Sequence, residues 1–321
     1  RGELMFTSFV TRTFTWGAIF SCTLSFPALS EAQMAATAPQ LAARSESKKA
    51  PFVLITDVDD TIKVSQILDP VGKVIRFLAD PVAFAGMSTL YHQLLDRANR
   101  DGRDQGFAVV SGTPWVLGWS VWEFLEEFSF PEASIVAMRP IAVETLEFKS
   151  DEISKILDQE ALDGGQIVLV GDDTEADHAA YLAAKRQVAD PRKMKTEIFI
   201  RRVSGRAVNQ GDTYAFDSAA DIAVVQFLGG RLSQADVEKV FREIETESDL
   251  ENLFVPGEYC PGFQQERLSD DKRIAKVPRV MLERLTEVEN HLRRVCSESS
   301  SWFAANGPKM IQLSPRVRNA L

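Results

Sequence analysis

An α/β fold, with a parallel sheet covered by helices on both faces, is predicted for this chain from three observations. Short β-rich runs alternate with helix-patterned segments, the runs are apolar throughout instead of at every second residue, and polar or acidic clusters stand at their carboxyl ends. A strand buried on both faces has no solvent side for polar residues. Parallel neighbours also need a crossover, which the intervening helices supply. Ligands of such sheets bind where loops leave the carboxyl ends of the strands, so those clusters mark the expected site.

Taken in order, the strand-like runs are 52–56, 107–110, 134–138, 167–170 and 197–200, and the helical patterns between them are 88–98, 119–128, 151–157 and 176–186. The catalytic part is expected over 51–205. Beyond Gly205 the pattern turns to helix only, at 218–228, 233–246 and 278–295, which predicts a helical C-terminal extension over 206–321. In its last segment Met281, Leu285, Val288, Leu292 and Val295 recur at steps of four and three and build one apolar stripe, expected to dock on the core.

The chain has 321 residues, 45% hydrophobic and 26% charged, which is the makeup of a folded globular protein and excludes disorder as its main state. A net charge of -10 disfavours nucleic acid as a partner, because an acidic surface repels phosphate backbones. Arg12, the apolar run 14–26 and the small residues of 27–32 read as an export signal cut after Ala32, with Met5 as a start and 33–50 as a linker. The run is shorter than the roughly 20 residues of a membrane-spanning helix. Export implies a periplasmic or secreted protein; a retained apolar N-terminus would leave it cytoplasmic. After cleavage Cys260 and Cys296 remain, free or paired.

The first cluster is Asp57-Val-Asp-Asp-Thr61, delivered by the apolar run 52–56. Three carboxylates within four residues repel one another unless a cation sits among them, so a divalent metal is expected. A helix-loop-helix calcium site does not fit, since Ile62 and Leu68 stand where it needs glycine and a bidentate acid. The second cluster, Ser111-Gly-Thr-Pro-Trp115, offers a hydroxyl and backbone N–H groups past a strand, which suits phosphoryl oxygens, although it is also an ordinary turn. The third is Lys149, expected at the start of a helix. The fourth, Gly171-Asp-Asp-Thr-Glu-Ala-Asp177, again follows an apolar strand; Asp172 with Asp173 or Asp177 would complete an oxygen cage for magnesium.

These clusters, with Phe84-Ala-Gly-Met-Ser-Thr-Leu-Tyr91, Phe130-Pro131, Phe148-Lys-Ser-Asp-Glu-Ile153 and Tyr181, resemble the haloacid dehalogenase hydrolases. Within them, the residues from about Phe52 to Val203 are similar to the catalytic domain of the actin-patch-type phosphatidate phosphatases and their bacterial relatives. The resemblance implies a Rossmann-like core with a minimal cap and a magnesium-dependent phosphatase. It makes Asp57 the nucleophile, Asp59 the acid and base, and Ser111 and Lys149 the holders of phosphoryl oxygens. Magnesium is then expected on Asp57, on Asp59 through its carbonyl, and on Asp172, with Asp173 and Asp177 as further candidates. Asp60, Thr61, Gly112 and Thr113 are candidates for phosphate contacts. Crowding by Asp57 and Asp60 is expected to raise the Asp59 pKa. His178 stands where relatives commonly carry proline, and Glu147-Phe148 where a histidine is common, departures that bear on substrate and not on chemistry.

The short inserts after Thr61 and Met138 leave no room for a large lid, so an open site and a phosphate on a bulky carrier are expected. Phosphatidate at a membrane surface is the substrate the resemblance implies, with Ile75, Phe77, Val82 and Phe84 as candidates for acyl contacts. Another phosphomonoester, a phosphoprotein, or a non-catalytic phospholipid-binding module are the alternatives. His92, His178 and His291 are too scattered for a zinc site or a serine triad, and a Gly-Lys-Ser phosphate loop is missing.

Overall fold

The computed structural model describes residues 49–65, 81–158, 164–174, 176–187, 194–204, 211–247, 268 and 271–306. The leader and most of the linker read in residues 1–48, and Ile75, Phe77 and Cys260, lie outside the described residues, as does the side chain of Cys296. Lys49 and Ala50, expected at the end of the linker, belong to the first strand.

Among the described residues, six strands form one sheet: β1 (Lys49–Thr56), β2 (Arg103–Pro114), β3 (Ile135–Arg139), β4 (Gln166–Asp172), β5 (Lys195–Arg201) and β6 (Thr213–Phe216). Their order is β3-β2-β1-β4-β5-β6 and every neighbouring pair is parallel. The chain builds outward from β1 through β2 to β3, then returns to place β4 on the other side of β1. The winding therefore reverses between β1 and β4, which opens a crevice at their carboxyl ends.

Among the described residues, seven helices accompany the sheet: α1 (Met87–Arg100), α2 (Gly118–Glu127), α3 (Thr145–Leu157), α4 (Asp177–Gln187), α5 (Ala219–Leu228), α6 (Gln234–Glu247) and α7 (Arg279–Asn306). Successive side chains of β1 enter opposite layers. Phe52 and Leu54 pack with Leu90 and Leu94 of α1, Phe124 of α2, Val224 of α5 and Phe241 of α6; Val53 and Ile55 pack with Ile153 of α3 and Ala184 of α4. Both faces are thus apolar, which is why the strand sequences show no alternation.

Two expectations are corrected. The part beyond Gly205 is not helix only, since Thr213–Phe216 is the edge strand β6 beside β5. Four residues are too few to show a period in sequence, and β5 supplies the pairing partner. Lys149 also does not start its helix but lies in the second turn of α3, because Thr145 to Phe148 extend the helix toward the N-terminus. The stripe on α7 docks as expected over Met281, Leu285, Val288 and Leu292, which are buried in the larger layer, each contributing roughly 1.5–3 kcal/mol; the side chain of Val295 lies outside the described residues.

After β6 the chain turns into α5 through Asp217 and Ser218. The Asp221 carboxylate accepts the N–H groups of Asp217 at 2.7 Å and Ser218 at 3.0 Å, capping the helix start. Burial, and then the nearby Asp221 charge, push the Asp217 carboxyl up to about 7, against the pull of Arg202 and Arg201. The unfolded chain releases this proton near pH 3.9 and the folded chain only near 7, so Asp217 lowers stability progressively as pH rises through that window. Asp217→Asn, an uncharged isostere, is expected to match the parent near pH 4 and to exceed it by on the order of 4 kcal/mol above pH 7. Denaturant melts at both pH values check this.

Candidate active site

The crevice between β1 and β4 gathers residues far apart in the chain. Asp57 follows β1 directly, and its N–H still donates to the Val170 carbonyl of β4 at 2.9 Å, so the strand pairing itself aims the residue. Asp57 is 2% exposed and Lys149 is fully buried. The Lys149 ammonium donates to Asp57 Oδ1 at 2.8 Å and to Asp177 Oδ1. Asp177 opens α4, and its Oδ2 accepts the Asp172 N–H at 3.1 Å.

Ligand atoms of Asp57, Asp172 and Asp177 lie within 4.8 Å of one another. The Thr61 hydroxyl stands 3.4 Å from Asp57 Oδ2 and 3.3 Å from Asp172 Oδ2, so one oxygen of each carboxylate turns to the same point. Three buried carboxylates face a single ammonium. Burial first, then the Asp177 charge, hold the Asp172 carboxyl well above the usual carboxylate range, although Lys149 and Thr174 pull it down. A hard divalent cation offsets such an excess of negative oxygen donors, so the residues present fit a metal.

The acidic turn after β1 is arranged differently from the sequence expectation. Its three carboxylates do not share one cation site but are dispersed to separate partners. The Asp59 carboxylate accepts the Ser65 and Thr113 hydroxyls, each at 2.5 Å, and so links the turn to the loop after β2. Asp60, expected to touch phosphate, is fully buried with φ at 58°, and its Oδ1 accepts the Ser65 N–H at 2.8 Å. It closes the turn instead of facing a ligand. Asp173, a candidate metal ligand, stands apart from the cluster: its Oδ1 accepts the N–H groups of Val203 at 2.8 Å and Ser204 at 2.6 Å and ties β4 to the end of β5.

Ser111 ends the buried part of β2, and its Oγ accepts the Thr113 N–H at 3.1 Å. The Gly112 carbonyl accepts Arg139 Nε at 2.9 Å. These residues share the same sheet edge as Asp57. Phe84, expected to touch acyl chains, is buried core, and Val82 is partly buried against it.

Several contributors escaped the sequence reading. Arg201, at the end of β5 beside Asp172, donates from Nε to the Thr61 carbonyl at 3.1 Å and from Nη1 to the Asp217 carbonyl at 2.7 Å. Its guanidinium lies 3.8 Å from the Phe84 ring centre and 4.7 Å from that of Phe216. Burial lowers its pKa to about 10, which leaves it charged at neutral pH. An arginine closing an otherwise apolar strand was the signal for it. The Tyr91 hydroxyl meets the Thr56 hydroxyl at 2.8 Å, and Tyr181 donates to the Val170 carbonyl at 2.7 Å, so two buried phenols brace the ends of β1 and β4.

Gly171 is required by close approach. A Cβ there would lie 2.6 Å from Asp177 Cβ and 2.7 Å from the Tyr181 hydroxyl. Gly171→Ala is expected to cost about 1–3 kcal/mol through this overpacking, read as a lowered thermal midpoint.

Comparison with known proteins agrees with this geometry. A family model described as phosphatidate phosphatase APP1, catalytic domain, matches residues 52–202, the stretch from β1 to the end of β5. None of the curated proteins compared with the chain matches it. The matched family is one of phosphoric monoester hydrolases, and its span holds Asp57, Asp59, Ser111, Lys149, Asp172 and Asp177. Residues 52–202 are therefore similar to the catalytic domain of the APP1 phosphatidate phosphatases, on an α/β core consistent with the haloacid dehalogenase superfamily.

Proposed function

We propose that the chain is a magnesium-dependent phosphatase that works through an aspartyl-phosphate on Asp57 and acts on phosphatidate or a related lipid phosphate. The observation that carries this reading is the buried cluster of Asp57, Asp172 and Asp177 at the β1/β4 crevice, with Lys149 bonded to Asp57 and Asp177, within a segment matching a phosphatidate phosphatase family.

Magnesium, held by Asp57, the Asp59 carbonyl and Asp172, would reduce the repulsion between an anionic nucleophile and an anionic phosphoryl group. Lys149 adds a fixed positive charge at Asp57, and Asp177 holds Lys149 from behind. Asp57 bonds to phosphorus as the alcohol oxygen leaves with a proton from Asp59. Asp59, now a carboxylate, takes a proton from the water that attacks the aspartyl-phosphate, and Asp57 is regenerated with release of inorganic phosphate. The Ser65 and Thr113 hydroxyls hold the Asp59 side chain for both transfers. Ser111, Thr61, Gly112 and Thr113 would receive the phosphoryl oxygens. If residues 1–32 are an export signal, this activity belongs to the periplasm or the exterior.

The test is phosphate release, with magnesium and with a chelator, from phosphatidate in detergent and from small phosphomonoesters. Magnesium-dependent release favouring phosphatidate supports the full reading. Equal or better release from small esters keeps the chemistry and removes the lipid. Absence of release from every ester, with retained phospholipid binding, points to a binding module.

A further inference from the structure

Six large apolar side chains stand exposed at the carboxyl edge of β2 and β3: Trp115, Val116, Trp119, Trp122, Ile141 and Leu146. Among the described residues the other exposed large apolar side chain is Val280, on α7. Three of the chain's five tryptophans are in this set, and Trp119 and Trp122 remain 55% and 51% exposed. On α2 the residues Val121, Phe124 and Leu125 face the core, so Trp119 and Trp122 stand on the outward side, at the N-terminal end of a face whose later positions are Glu123, Glu126 and Glu127.

The set is joined to the site through its loops. Trp115 follows the turn whose Thr113 hydroxyl donates to Asp59. Arg139 donates to the Gly112 carbonyl at 2.9 Å and to the Val143 carbonyl at 2.7 Å, clamping the turn that carries Ile141 against the same loop. Leu146 lies on α3, one turn before Lys149. The exposed apolar residues are therefore carried by the segments after β2 and β3 and by α3; β2 itself bears Thr113 and α3 bears Lys149.

We propose that this apolar set docks on the surface of a lipid bilayer and brings the site against it; the proposal rests on the lipid-phosphate reading. Indole combines an apolar body with one N–H donor and favours the membrane–water boundary. Asp57 is nearly buried, so a phosphate whose tails stay in the bilayer reaches it only if the site meets that boundary. The six residues include no lysine or arginine, the exposed Glu123, Glu126 and Glu127 follow on α2, and the chain carries a net charge of -10. Attachment is therefore apolar and not an attraction to anionic headgroups. A second copy is a poorer occupant, because six side chains fall far short of the roughly 20–30 residues a side of a stable interface.

The test compares the full chain with its Trp119→Ala/Trp122→Ala variant on phosphatidylcholine vesicles that contain no phosphatidate. Co-sedimentation is expected for the parent, with affinity falling about tenfold in the variant and changing little between about 50 and about 500 mM salt. On phosphatidate in the same vesicles the variant is expected to be about tenfold slower, while its rate on p-nitrophenyl phosphate stays within about twofold. Failure of the parent to bind, equal binding by both proteins, or a parallel fall on both substrates overturns the proposal. So does a variant that loses self-association but keeps the vesicles. Tryptophan-dependent binding without hydrolysis of either ester upholds the docking face and rejects the phosphatase reading.

Discussion

Asp57→Asn is expected to lower phosphate release by about a thousandfold or more while leaving the fold intact. The substitution is isosteric, so it removes the attacking carboxylate without opening a cavity, and Lys149 keeps its bond to Asp177. Because Asp57, Asp172 and Asp177 crowd one ammonium, deleting one charge should also raise the melting temperature in chelator. The extra stability that magnesium confers on the parent should shrink in the variant. Melting with magnesium and with chelator, beside the rate, separates a lost nucleophile from a damaged fold. A variant that retains turnover would transfer the nucleophile's role away from Asp57.

Lys149→Met should harm both stability and activity. It leaves Asp57 and Asp177 buried and facing each other across the space the ammonium filled. Breaking a buried ion pair from one side costs roughly 3–5 kcal/mol, and the methionine packs only part of the volume. Phosphate release is expected to fall at least about a hundredfold, since the charge opposite the phosphoryl group goes with it. Magnesium should restore more stability to this variant than to the parent, as the remaining carboxylates then have one cation fewer. Thermal melts across a magnesium titration give the answer, and an unchanged melting temperature would contradict the buried geometry.

Much of this arrangement was legible in the chain. Apolar runs without alternation announced strands covered on both faces, and β1, β2, β4 and β5 lie over the expected segments. The stripe of Met281, Leu285, Val288 and Leu292 announced a docked helix because helical spacing alone puts those side chains on one side. Acids at the ends of β1 and β4 could be placed at one sheet edge, since parallel strands end together. Periodicity failed for Thr213–Phe216, too short to show it, and for the start of α3, where helix formers preceded the expected boundary.

The carboxylates divide most clearly between what local sequence decides and what only the folded chain decides. Residue type and strand position were enough to nominate Asp57, Asp59, Asp60, Asp172, Asp173 and Asp177, because both depend on neighbours in the chain. Which of them meet depends on β4 returning beside β1, a long-range event with no local mark. That return joins Asp57 to Asp172 and Asp177 around Lys149, while the turn after β1 gives Asp60 to the Ser65 N–H and the pairing of β5 with β4 gives Asp173 to Val203 and Ser204. Sequence spacing carries strand ends and turns, but a carboxylate's role is set by the donors around it, and those donors arrive from other strands.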